Sequence, residues 1–283
     1  MSVEREDIVL WRRKYLRQIK EYRAANKTIY YLDETLDTTV KNKRQAFLDG
    51  LSAGPKARTG KGKRLIVLHI GSGKGFVEDG LLVFESKSTK DYHEEMDGER
   101  FLNWFINIMP KLEPRSVVVM DNAPYHSVRV EKILTTSWNK QQIIDWLQSK
   151  GKSMDMTYLK KELLMKVAEI APQYNKYLIN KTAKSNGITI LHLPPYHCKL
   201  NPIELVWAQI KNYVGANNST FKLSDIKKLL DDAIALIDAN RWKKCCDHVI
   251  REENTMWNLD DIMELAEQNS FIINVTGESS DTD

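Results

Sequence analysis

Three acids, Asp33, Asp121 and Glu204, stand in contexts where carboxylates can do chemistry. Asp33 closes the aromatic and β-branched run Thr28-Ile29-Tyr30-Tyr31-Leu32, and Asp121 closes Ser116-Val117-Val118-Val119-Met120. Glu204 falls in the first turn of a helix that opens at Asn201-Pro202. In an open α/β sheet, strand ends and the helix starts that follow them converge on one rim. Carboxylates gathered there repel one another unless cations hold them. Hard oxygen ligands suit Mg²⁺ or Mn²⁺. Two such ions about 4 Å apart would activate a nucleophile on one side and stabilise a leaving oxygen on the other. Each acid also has a structural role open to it. Asp33 can cap a turn in Asp33-Glu34-Thr35, and Asp121 can satisfy turn N–H groups before Pro124. With Asn201 as N-cap and Pro202 at the first helical position, Glu204 occupies the capping-box place.

The elements that must position these acids follow from periodicity. Residues 5–25 place Ile8, Trp11, Tyr15, Ile19 and Tyr22 at helical spacing, which predicts an amphipathic helix with a basic outer face. A first strand over Thr28–Asp33 is apolar on both faces and therefore central. Arg64–Ile70 and Phe76–Glu85 read as two further strands, and the short link Gly71–Gly75 makes them an antiparallel hairpin. That link lacks the spacing and the following helix of a phosphate loop. A helix over Glu99–Leu112, the strand ending at Asp121, a helical stretch, a strand over Ile188–Leu193 and the helix Pro202–Gly215 come next, with two more helices near 223–238 and 240–267. Antiparallel strands first and helix-separated strands later give an α/β mixed sheet with helices on both faces, the element order of the RNase H-like fold. The domain reading is a basic linker helix over 1–27, a catalytic domain from 28–136 and 176–216, a helical insertion at 137–175, C-terminal helices over 217–270 and an acidic tail at 271–283.

Composition excludes several classes. With 42% apolar and 28% charged residues, the 283-residue chain has the balance of a globular protein. It carries no apolar run near the roughly 20 residues needed to cross a bilayer, and its charged start is not a signal peptide, so neither membrane insertion nor secretion is expected. Cys198, Cys245 and Cys246 are too few for a disulfide framework or a zinc site, which implies a reducing compartment. The net charge of +4 is uninformative until divided. Residues 1–64 hold sixteen Lys and Arg against eight acids, whereas residues 247–283 hold one Arg against ten. A basic front and an acidic end imply a polyanion-facing surface and a solvating tail.

The runs Tyr31-Leu32-Asp33-Glu34-Thr35, Met120-Asp121-Asn122-Ala123-Pro124-Tyr125-His126, Leu193-Pro194-Pro195-Tyr196 and Leu200-Asn201-Pro202-Ile203-Glu204 together resemble the catalytic domain of mariner-like cut-and-paste DNA transposases. The resemblance covers roughly residues 5–215. It implies a DDE triad of Asp33, Asp121 and Glu204, two Mg²⁺ or Mn²⁺ ions, and double-stranded DNA as substrate, both transposon ends and target. Water would attack a phosphodiester at the transposon end, and the freed 3′-OH would then attack target DNA. It also implies a homodimer on DNA and a nuclear setting. The sequence departs from the common pattern in two ways. Eighty-two residues separate Asp121 from Glu204, a long gap that looks like the Sailor-type group, and Leu36 stands where relatives commonly carry Trp.

Further DNA contacts are expected from basic loops and from the motif flanks. Lys41, Lys43, Arg44, Lys61, Lys63 and Arg64 lie in Gly- and Pro-flanked runs. Asn122 and His126 follow the second acid, and Lys199 precedes the third. Trp138 and Trp146 of the insertion read as core. Relatives place helix-turn-helix modules before the catalytic domain, and this chain is expected to lack them. Two functions therefore compete: a metal-dependent DNA endonuclease and strand transferase, or a host-adopted relative that binds DNA or partners without transposing. The intact acids favour the first.

Overall fold

The computed structural model describes residues 5–37, 65–85, 96–127, 138–174, 177–220 and 222–270. Helix α1 (Glu6–Ala24) leads into β1 (Ile29–Asp37), then β2 (Leu65–Ser72), β3 (Gly75–Phe76) and β4 (Leu82–Glu85). After α2 (Gly98–Ile108) come β5 (Val117–Met120), α3 (Lys140–Ser149), α4 (Lys160–Tyr174) and α5 (Leu178–Ser185). Strand β6 (Thr189–His192) precedes α6 (Pro202–Asn217), α7 (Leu223–Ala235) and α8 (Ala239–Ser270).

The strands form one sheet in the order β3-β2-β1-β5-β6, with β4 also paired to β2. Strand β1 runs antiparallel to β2 and parallel to β5, and β5 runs parallel to β6. This is the expected RNase H-like mixed sheet. The Gly71–Gly75 link does close a hairpin, pairing Ser72 with Gly75. The strand expected over Phe76–Glu85 is broken, however. Between Gly71↔Phe76 and Leu68↔Leu82, six steps on one side face three on β2. The extra residues bulge out so that Gly80 C=O can accept from the Trp104 indole at 3.2 Å.

Alternation along the strands divides the core in two. Tyr31, Val67, Val117 and Val119 face α1, α6 and α7, with Trp207 and Trp242 fully buried among them. Leu32, Ile66, Leu68, Val118 and Met120 face the aromatic stripe of α2 (Phe101, Trp104, Phe105) and α5. Helices α3 and α4 bury their own cluster of Ile143, Ile144, Leu147, Leu163, Val167 and Ile170, with Trp146 inside it and Trp138 half-buried against it. Asn139 caps α3 through a reciprocal pair with Gln142. No helix among the described residues is long and apolar enough to cross a membrane.

The basic outer face expected of α1 is kept by the exposed Lys14, Arg17 and Lys20, but three of its arginines turn inward. Arg12 pairs with Asp260, Arg13 with Asp261 and Arg23 with Glu253, all three acids lying on α8. Part of the acidic end thus neutralises part of the basic front within the fold.

Candidate active site

Asp33 is interior to β1, not at its end. It reaches the rim because its parallel neighbour stops first. Tyr31 pairs with Val119, the last β1–β5 partners, so two residues further on Asp33 draws level with Asp121, just past β5. Strand β1 then continues to Asp37 against β2 alone. The third acid arrives on α6. Asn201 takes the N-cap position and Pro202 the first turn, as expected, but the Asn201 side chain makes no capping bond. Its Nδ2 instead donates to Leu32 C=O at 3.2 Å, fastening the start of α6 beside Asp33.

Asp33, Asp121 and Glu204 line one cavity, together with Asn122, the turn Leu193–Cys198 and Asn201. Burial pushes the Asp33 carboxyl well above its usual range, and the charges of Glu34, Glu204 and Asp121 push it further. A carboxylate so crowded is stabilised by a cation, and the donor set consists of hard oxygens, so the residues fit Mg²⁺ or Mn²⁺. Among the described residues no three acidic, His or Cys side chains close into a ligand set as they stand.

Period-two alternation sends Glu34 to the opposite face from Asp33. There it is buried, accepting from Tyr125 Oη at 2.9 Å, with His126 Nε2 at 3.3 Å. The other ring nitrogen, His126 Nδ1, lies 2.7 Å from Asp121 Oδ1, which also accepts from Ala123 N–H at 3.0 Å. Burial opposes charge on His126, but the Glu34 carboxylate and the bond to Asp121 outweigh it and raise the imidazole to about 10. His126 is therefore strapped between two carboxylates that favour its charged form, and it is too buried to touch DNA. Nothing in the spacing of the three acids marks Glu34 as part of the site. The signal was present in adjacent acids on a strand, one per face.

The remaining expected residues divide. Asn122 is exposed in the cavity wall, and its Nδ2 donates to Leu193 C=O at 2.7 Å. Lys199 is exposed on the 3₁₀ turn Cys198–Leu200, 3.8 Å from Glu252 of α8, and does not line the cavity. Lys41, Lys43, Arg44, Lys61, Lys63 and Arg64 lie outside the described residues. Two buried histidines were not anticipated. His69, the β2 partner of Asp33, stacks on Phe76 at 4.0 Å, and burial lowers it to about 3. His197 contacts Arg12 within the cavity-lining turn. In that turn Tyr196 holds φ at 62°, a left-handed conformation that costs a side-chain-bearing residue about 1–2 kcal/mol.

The profile of the DDE superfamily endonuclease family matches residues 28–227, the span that contains all three acids. Solved structures of Mos1 transposase share the fold. Its catalytic domain with Raltegravir and Mg superposes with a TM-score of 0.54 at 12% identity, covering 91% of this chain and 97% of that one. The paired-end complex with the left transposon end gives 0.57 at 14% identity, covering 91% of this chain but 63% of that one. The pre-cleavage transpososome gives 0.58 at 13% identity, with 91% and 64% covered. The chain thus spans less than two thirds of the longer transposase chains it matches. With the family profile running across the sheet, the cavity and all three acids, the chain belongs to the DDE superfamily endonucleases.

Proposed function

We propose that the chain is the catalytic portion of a mariner-like cut-and-paste transposase, a metal-dependent DNA endonuclease and strand transferase. The observation that carries the proposal is the meeting of Asp33, Asp121 and Glu204, from three separate elements, in one cavity. At a transposon end, water adds to the scissile phosphorus and the 3′-oxygen leaves, giving a 3′-OH and a 5′-phosphate. That 3′-OH then attacks a target phosphodiester, joining the strands as the target's own 3′-oxygen departs. Asp33, Asp121 and Glu204 would hold Mg²⁺ or Mn²⁺, which when bound supplies activation of the attacking oxygen and charge neutralisation at the leaving one. His126 and Glu34 set the direction of the Asp121 carboxylate, and Asn201 keeps the start of α6 against β1.

The reading extends to a homodimer on double-stranded DNA, since two ends are cut and joined together, and to action in the nucleus. The long gap after Asp121 fits the Sailor-type group. The test is incubation with supercoiled plasmid and Mg²⁺ or Mn²⁺, beside Asp33→Asn. Nicking by the native protein alone supports the proposal, and equal nicking by both proteins overturns the catalytic assignment. No nicking by either, with DNA still bound, moves the balance to a host-adopted binding protein.

A further inference from the structure

Tyr196 is 90% exposed at the lip of the cavity that holds the three acids. It stands at the third position of the turn Pro194–His197, which is closed by His197 N–H donating to Pro194 C=O at 3.3 Å. With Pro195 before it and φ at 62°, this is the position that ordinarily selects glycine or asparagine. A tyrosine there accepts backbone strain and gains no burial in return.

The turn is nevertheless held firmly on both sides of the ring. His197 is buried, its Nδ1 2.7 Å from Pro195 C=O and its Nε2 3.1 Å from an Arg12 guanidinium nitrogen. Donation by Nδ1–H to the carbonyl leaves Nε2 to accept from Arg12, which pairs in turn with Asp260; both of these are buried. Arg12 of α1, backed by Asp260 of α8, thereby holds His197, and His197 in turn holds the Pro195 carbonyl, while the Tyr196 ring projects into solvent. Strain held in place by such bracing is a mark of functional sites.

We infer that Tyr196 is a stacking platform for an unstacked nucleobase of the DNA strand entering the cavity. The inference rests on the reading of this cavity as a DNA-cutting site. A scissile phosphate reaches recessed carboxylates more easily when the duplex is distorted, and a base that leaves the stack needs an aromatic face in its place. Every base offers such a face, so the contact tolerates sequence. A protein partner would call for a broader apolar patch. Of the exposed large apolar residues among those described, Tyr196 alone lines this cavity.

The test uses the full chain and two short duplexes in Ca²⁺, one fully paired and one with a central unpaired 2-aminopurine. The native protein should quench the 2-aminopurine on saturation. Tyr196→Ala should abolish the quench and weaken binding of the bulged duplex about fivefold or more, with the paired duplex unchanged. Tyr196→Phe should restore both. An alanine variant that still quenches, or one that loses both duplexes equally, overturns the inference. Plasmid nicking by the native protein, read in parallel, separates the two ideas. Nicking with a Tyr196-independent quench sinks the platform alone, and a Tyr196-dependent quench without nicking sinks the nuclease reading alone. Failure of the native protein to bind either duplex sinks both.

Discussion

His126 Nδ1 lies 2.7 Å from Asp121 Oδ1, and the same ring reaches Glu34 on its far side. The pair joins the two faces of the sheet. Asp121 opens on the cavity, whereas Glu34 sits beneath the sheet beside Tyr125. A carboxylate that must receive a cation gains from being fixed beforehand, because it then loses little freedom on binding.

Glu34→Gln should therefore raise the Mn²⁺ concentration needed for half-maximal plasmid nicking by about 10–100-fold, the range for residues that orient metal ligands. Gln retains an acceptor for Tyr125, so the fold is expected to survive. Calorimetric Mn²⁺ titration of the DNA-free protein gives a second readout. An unchanged metal dependence would reduce Glu34 to a packing role.

Asp33→Asn should abolish nicking and at the same time stabilise the metal-free fold. Burial and three neighbouring carboxylates oppose the Asp33 charge, and a neutral amide relieves that conflict. A gain of about 1 kcal/mol would raise the melting temperature by about 2–4 °C. Mg²⁺ should raise the melting temperature of the native protein by linkage and do less for the variant. A variant less stable than the native protein without metal would mean that the carboxylates do not strain one another.

Much of this site was legible in residue types. The valine run before Asp121 and the Asn-Pro start before Glu204 name a strand and a helix, and parallel strands bring their ends together. Asp33 was misplaced because the end of β1 is set by β2, whose pairing to Asp37 no local pattern announces. Arginines 12, 13 and 23 looked like an outward basic face because their acids come more than 200 residues later on α8. Only the opposite charge of the two chain ends hinted at it. The break in Phe76–Glu85 depends on Trp104 reaching Gly80 from another element, which alternation cannot reveal.

Gly71→Ala should destabilise the fold without touching the acids. A Cβ at Gly71 would fall 2.4 Å and 2.7 Å from atoms of the Trp242 indole, which is fully buried against Phe76 in an edge contact at 5.1 Å. The ring has no room to retreat, so the overpacking cost is about 1–3 kcal/mol. Urea unfolding should show a lower midpoint with an unchanged slope. Native stability would mean that the α8–sheet contact at Trp242 is softer than its burial implies.

Tyr15→Phe should act in the other direction and chiefly at high pH. The Tyr15 hydroxyl is buried with no hydrogen-bond partner among the described residues. Desolvation first, and the charge of Glu253 second, hold its pKa well above 10.0. Below pH 10 both folded and unfolded chains keep the phenol proton, and stability is unaffected by it. As pH rises past 10 the unfolded chain releases that proton and the folded chain does not, so unfolding becomes easier by up to about 1.4 kcal/mol per pH unit for this group. Phenylalanine removes that slope along with an unsatisfied polar group. Near neutral pH the variant should match the native protein or exceed it by about 1 kcal/mol. Urea midpoints between pH 8 and about pH 11 should diverge only at the alkaline end. Parallel curves would show that the phenol finds a partner that keeps its ionisation the same in both states.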